Sequence, residues 1–194
     1  LRGSYALFNL EEERVLAEVT RLGARRLLIQ APEGLKAQAI ALAQLVEKRT
    51  ACRVYVSGSP CFGACNLALR EAEALRVELL VHLGHTELAS AGSLRVLYIE
   101  AASDLDLTPV TERSLPMLDR YRRIGLITTG QHAHRLAEAK CLLESVGKEV
   151  FVGQGSERMS HPGQVIGCDY TSAENIQSQV EAFLFICLLY TSDA

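Results

Sequence analysis

The chain describes one supersecondary unit twice. Residues 25–30 read as a buried strand, helical periodicity runs over 35–48, and residues 53–58 read as a second strand followed by a loop that holds Cys65. Residues 122–129 repeat the first strand, 132–146 the helix and 148–153 the second strand, and a loop holding Cys168 follows. Similarity at this scale means duplicated units in which equivalent loops take equivalent positions about a shared axis. Two thiols placed that way could ligate one metal centre.

The strands are short continuous apolar runs, the pattern of strands covered on both faces. Leu35, Ala39, Leu42, Ala43 and Val46 recur at helical spacing and would cover a sheet. The first half reads as strand 27–30, helix 35–48, strand 54–57, helix 66–75, strand 79–83 and strand 94–99. This order implies parallel α/β units with right-handed crossovers. A shift to Ser, Asp, Thr and Pro over 101–109 marks a linker, then a helix with Thr108 as cap and Glu112 in its first turn. His132, Leu136, Ala139, Leu143 and Val146 keep the helical period, and Gly147 ends that helix. Residues 156–164 read as a long loop, 165–167 as a short strand delivering Cys168, and Thr171 or Ser172 as the cap of a final helix. The fold class is α/β with two tandem parallel-sheet domains, 1–103 carrying Cys65 and 104–182 carrying Cys168.

Neither end reads as native. The chain opens on Leu1, and the stretch from Cys187 onward looks like translated adaptor sequence, so 183–194 is set aside as a non-native tail and Cys187 is given no role. No apolar run reaches the roughly 18–20 residues that cross a bilayer, and no signal peptide opens the chain, so a cytoplasmic protein is expected. A net charge of −3 and scattered Lys and Arg give no footprint for nucleic acid. The six cysteines suit reduced thiols better than a disulfide framework in a chain with this much apolar sequence.

In open parallel sheets the crevice lies beyond the carboxyl ends of the strands. Cys65, expected at a helix N-terminus, would feel the positive end of the dipole, which favours the thiolate that metals need; its bland reading is a buried structural cysteine. Cys61 reads as its neighbour and not a ligand. A usual radical-SAM loop is excluded, because Ala68 stands where a third thiol should be, and the paired cysteines of zinc ribbons are absent. Cys168 follows Gly163 and Gly167, which let the backbone turn tightly. Cys52 and Cys141 are assigned to packing. Of His82, His85, His132 and His134, only His85, beside Gly84 at a strand end, stands out as a candidate ligand contact. Gly153 and Gly155 follow a strand and suggest phosphate contact, although the third glycine of a dinucleotide fingerprint is missing.

The motifs at residues 30–35, 55–65, 81–86, 97–100, 128–132 and 161–168 together resemble the diphthamide synthesis family in its archaeal-type form, over nearly everything before the tail. The resemblance implies a three-domain, pseudo-symmetric enzyme of Rossmann-like domains, each giving one cysteine to a [4Fe–4S] cluster with one iron left free for S-adenosylmethionine. Cys65 and Cys168 match the first two ligands; the third domain and its cysteine are missing here. The implied reaction is the first step of diphthamide biosynthesis by a 2-(3-amino-3-carboxypropyl)histidine synthase. The sulfur–γ-carbon bond of S-adenosylmethionine breaks to give a 3-amino-3-carboxypropyl radical, and that group is attached to a histidine of translation elongation factor 2. Gly84, His85, Gln131 and Gly155 are the expected contacts for the nucleoside substrate, and the intact parent is expected to be a homodimer. A two-ligand fragment is expected to bind a cluster poorly and to be inactive. Two rivals remain: a quinolinate synthase-like iron–sulfur enzyme, and a non-catalytic partner subunit on the same scaffold.

Overall fold

The computed structural model describes residues 8–88 and 92–187. The elements, in order, are β1 (Phe8–Asn9), α1 (Glu12–Leu22), β2 (Arg26–Gln30), α2 (Lys36–Arg49), β3 (Arg53–Val56), α3 (Leu69–Leu75), β4 (Leu79–Leu83), β5 (Arg95–Ile99), β6 (Ala102–Ser103), α4 (Thr108–Leu118), β7 (Arg123–Thr128), α5 (Gly130–Ala133), α6 (Leu136–Ser145), β8 (Glu149–Phe151), α7 (Thr171–Glu174) and β9 (Ala182–Ile186). The chain divides into two compact units between Ala101 and Ala102.

In the first unit four parallel strands lie in the order β3-β2-β4-β5. Every residue of β4 is buried, as an inner strand with both faces covered requires, its one polar residue, His82, included. Alternation then sorts the side chains. Leu27, Ile29, Leu79, Val81, Leu83, Leu97 and Ile99 pack with Leu35, Ala39, Leu42 and Val46 of the α2 segment and Val15, Leu16 and Val19 of α1. Leu28 and Leu80 face the other way, against Ala72 and Val77 around α3. Each such leucine, fully buried, contributes about 1.5–3 kcal/mol. Helix α1 is an element the repeat does not announce. Its signal is the apolar spacing of Val15, Leu16 and Val19 and a left-handed Gly23 whose N–H donates to the Thr20 carbonyl at 3.1 Å.

The second unit orders three parallel strands β8-β7-β9. It reproduces the β3-β2-β4 portion of the first: β7 corresponds to β2, β8 to β3 and β9 to β4. A small device repeats with it. The Glu78 carboxylate, one residue before β4, accepts from the Arg26 N–H at 2.7 Å, and the Glu181 carboxylate, one residue before β9, accepts from the Arg123 N–H at 2.8 Å. The backbone N–H groups of Arg122 and Arg123 hold the Glu181 carboxyl below its usual range.

Several elements differ from the sequence reading. The 132–146 helix is broken into α5 and α6 at His134 and Arg135, where the Arg135 guanidinium turns aside to the Asp104 carbonyl at 2.7 Å and to Glu138. Thr108 is not the cap of α4 but its first residue, and the Asp106 carboxylate accepts the Thr108 N–H at 2.9 Å. Asp169 likewise, and not Thr171 or Ser172, satisfies the start of α7 by accepting from the Thr171 N–H and hydroxyl. Residues 165–167 form no strand; Ile166 and Asp169 make an isolated bridge that closes a tight turn over Gly167 and Cys168. Residues 183–186, set aside with the tail, form most of β9. Ile186 is buried in the core of the second unit, and its carbonyl accepts the Thr128 hydroxyl at 2.8 Å. Residues 188–194 lie outside the described residues.

The glycines near the second loop, Gly167 apart, are spent on packing. A Cβ on Gly153 would stand 1.9 Å from the Ser172 carbonyl oxygen, a backbone atom that cannot step aside, whereas one on Gly167 would meet nothing within 4 Å. Gly153→Ala is therefore expected to cost about 3 kcal/mol, and Gly167→Ala less than about 0.5 kcal/mol. Thermal unfolding of both variants checks this, and equal midpoints would refute the packing role.

Candidate functional site

The site of the first unit grows from one row of the sheet. Gln30, His82 and Tyr98 are register partners across β2, β4 and β5, so they project side by side from one face. Two residues earlier the same row is Leu28, Leu80 and Val96, which packs around α3. The face thus turns from apolar to polar at the carboxyl ends of the strands. All three polar side chains are at least nine-tenths buried, and burial at this level requires partners.

Those partners lie in the loop that carries Cys65. The Gln30 amide donates to the Asn66 carbonyl at 2.6 Å and accepts the Ala68 N–H at 3.0 Å. The Tyr98 hydroxyl donates to the Ala64 carbonyl at 3.2 Å. From α2, the Lys36 ammonium donates to the carbonyls of Ser57 and Ser59 at 2.6 and 2.9 Å. The loop is therefore fastened at five backbone groups, while Cys65 itself is exposed at the turn closed by the Asn66 N–H donating to the Gly63 carbonyl. Helix α3 begins only at Leu69, four residues after Cys65, so the dipole expected to favour the thiolate is not what positions this thiol. The sheet does that, through Gln30 and Tyr98.

His82 completes the row. Its Nδ1 lies 3.1 Å from Gln30 Oε1, and its Nε2 lies 2.9 Å from His85 Nδ1 and 4.0 Å from Cys61 Sγ. Since Gln30 Oε1 can only accept, Nδ1–H of His82 is the donor and Nε2 the acceptor. Burial pushes the His82 pKa down to about 3 and that of His85 to about 4, so both rings are neutral near pH 7. Burial also pushes the Cys61 thiol up. Cys61, read from sequence as a bystander, is thus the thiol that joins two histidines, and Cys65 is not part of that group. The sequence signal for this row is a polar side chain near the carboxyl end of each strand: Gln30 closes β2, and His82 and Tyr98 stand one residue before the ends of β4 and β5.

Gly84, with φ +85°, packs against the Pro32 ring and donates its N–H to the Ile99 carbonyl at 2.7 Å, so its freedom serves the turn after β4. His85 follows it and is half-buried.

In the second unit Cys168 is exposed at the tip of the turn between Ile166 and Asp169. The turn is anchored through Asp169, whose carboxylate accepts from Thr171 and from the Ser156 hydroxyl at 2.7 Å; these bonds hold its pKa below the usual range. On the other side the Val165 N–H donates to the Thr128 carbonyl at 2.8 Å. Gln131 is buried within α5. A Cβ on Gly155 would stand 2.5 Å from the Met159 side chain and 2.9 Å from the Ser172 hydroxyl, so that side of the glycine is filled by packing. Cys65 lies in the β3-to-β4 connection and Cys168 in the β8-to-β9 connection, the same place in the repeated topology.

The family described as "Putative diphthamide synthesis protein" matches residues 31–189, and the chain belongs to that family. It is 36% identical over 181 residues to a 2-(3-amino-3-carboxypropyl)histidine synthase of Pyrococcus horikoshii, which covers 93% of this chain and 52% of that protein. Subunit 1 of the human enzyme of that name is 27% identical over 183 residues, covering 92% of this chain and 40% of that protein. The crystal structure of Dph2 from Pyrococcus horikoshii with a 4Fe-4S cluster superimposes with a TM-score of 0.81 at 36% identity, over 92% of this chain and 52% of that one. The chain thus spans about half the length of these relatives.

Proposed function

We propose that this chain supplies part of a 2-(3-amino-3-carboxypropyl)histidine synthase that carries out the first step of diphthamide biosynthesis. In this reading the 3-amino-3-carboxypropyl group passes from S-adenosylmethionine to a histidine of translation elongation factor 2, and Cys65 and Cys168 are two ligands of a [4Fe–4S] cluster. The observation that carries it is the equivalence of the two cysteines. Each is an exposed thiol on an anchored turn in the same connection of a duplicated parallel-sheet unit, in a family one of whose solved members holds such a cluster.

The donors fit the group. Iron–sulfur clusters take cysteine thiolates, and both turns leave their thiols unobstructed: Gly63 has no side chain to crowd Cys65, and Gly167 has open space beside Cys168. The third ligand is assigned to a third domain outside these residues, with the two units that divide between Ala101 and Ala102 as the first two domains of a homodimeric cytoplasmic enzyme. When bound, such a cluster supplies an open iron and one electron for breaking the sulfur–γ-carbon bond of the sulfonium. The task of this chain is positioning. Gln30, Tyr98 and Lys36 hold the Cys65 loop to the sheet, and Asp169 holds the Cys168 turn. Of the residues that the resemblance assigns to the nucleoside substrate, His85 keeps an accessible edge and Gln131 a polar group, while Gly84 and Gly155 also serve local packing.

The test is anaerobic reconstitution of the full-length protein with iron and sulfide, then incubation with S-adenosylmethionine, a reductant and elongation factor 2. Methylthioadenosine and a modified histidine are the expected products. Release of 5′-deoxyadenosine as the main product would overturn the proposed bond scission.

A further inference from the structure

The Cys61 group is chemically distinct from the cysteines discussed above. Its three ligand atoms, a thiol and two imidazole nitrogens, all lie within 4.8 Å of one another, and no other such group occurs among the described residues. We propose that Cys61, His82 and His85 form a site for a single divalent cation of the zinc class, separate from Cys65 and Cys168.

The donor set suits that ion. Zinc takes thiolate and neutral imidazole at about 2.3 and 2.0–2.1 Å, so the donors of a tetrahedral site stand roughly 3.3–3.8 Å apart. The separations of 2.9 Å between the two imidazole nitrogens and 4.0 Å between His82 Nε2 and Cys61 Sγ bracket that value. Small side-chain rotations place all three on one ion.

The outer contacts point the same way. A ligating histidine normally donates its other ring N–H to a carbonyl or carboxylate, which fixes the tautomer and aims the lone pair at the metal. His82 does this: Nδ1–H goes to Gln30 Oε1, Gln30 is itself fixed by the Asn66 carbonyl and the Ala68 N–H, and Nε2 is left facing Cys61 and His85. His82 is wholly buried and Cys61 nearly so, while the half-buried His85 provides the side from which an ion enters. On binding, the His85 ring proton moves from Nδ1 to Nε2, the Cys61 thiol releases its proton to solvent, and three metal–ligand bonds form with no change of oxidation state. Three protein donors leave a fourth position open. The ion ties residue 61 to β4 and fastens the near end of the Cys65 loop, independently of whether a cluster is present.

The test uses the full-length protein carrying C65S and C168S, stripped with chelator and titrated with Zn2+ and with Co2+. The expected result is one equivalent of either ion and a cobalt spectrum with tetrahedral ligand-field bands and a thiolate charge-transfer band. Adding C61S removes the charge-transfer band, and adding H85Q weakens binding by at least about 10–100-fold. His85 is half-buried, so H85Q keeps the question answerable if a change at His82 prevents folding, and circular dichroism confirms the fold of each variant. Absence of stoichiometric binding in the C65S/C168S protein, or binding undiminished by C61S and H85Q, overturns the site. Neither result bears on the cluster ligands, which are tested separately.

Discussion

Cys65→Ser and Cys168→Ser, each made singly in the full-length protein, are expected to lose most of the iron and sulfide incorporated on anaerobic reconstitution, and with it the cleavage of S-adenosylmethionine. The ligand is a thiolate, soft enough to bond iron of a cluster, and a serine hydroxyl is both harder and far less acidic. Losing an outer-shell partner already costs a metal site about 10–100-fold in affinity, and losing a direct ligand costs more. Both side chains are exposed at the ends of turns whose anchors do not involve the sulfur, so the substitutions leave the fold intact. Cys141→Ser, equally exposed but on α6, is the control and should load normally. Full iron content in either single variant would remove that cysteine from the ligand set.

Gln30→Leu should be the most damaging single change among the residues that hold the Cys65 loop. Leucine matches the size of the amide but leaves the buried His82 Nδ1–H, the Ala68 N–H and the Asn66 carbonyl without partners. An unsatisfied buried polar group costs about 1–3 kcal/mol. Asn66 is exposed and Ala68 half-buried, so water can reach them, and a net loss of roughly 2–4 kcal/mol follows from His82 and part of the rest. Denaturant titration measures the loss, and hydrogen exchange locates it: protection at the Ala68 amide should fall while α1 and α2 keep theirs. An unchanged midpoint with an unchanged Ala68 exchange rate would mean that the loop is held by something other than this amide.

The two halves differ in how openly they declare themselves. The apolar runs at β2, β4 and β7 are legible because strands buried on both faces keep polar side chains to the few positions, such as Gln30 and His82, where a partner satisfies them. Cys65 and Cys168 are found from sequence as the loop cysteines of a repeat. Helix α1 is not legible from the repeat because nothing in the second half echoes its sequence. The break between α5 and α6 and the start of α3 at Leu69, later than the expected 66, are not legible either, since in each the deciding contact comes from far along the chain: Asp104 for Arg135, and Gln30 for Ala68. Phe183 and its neighbours look like a tail in sequence, because an apolar segment beside atypical residues shows no partner until β7 is known to pair with it.

What the sequence determined alone is the sort of chain this is: a duplicated parallel α/β unit with a thiol in each equivalent loop, because periodicity and apolar runs are local and survive in one dimension. Tertiary structure alone decided what holds those loops and which other side chains meet there. Gln30, Cys61, His82 and Tyr98 lie on four separate segments, and only strand register places the three strand residues in one row with the thiol over it. Register is set by the summed burial of whole strands, and no single motif carries that sum.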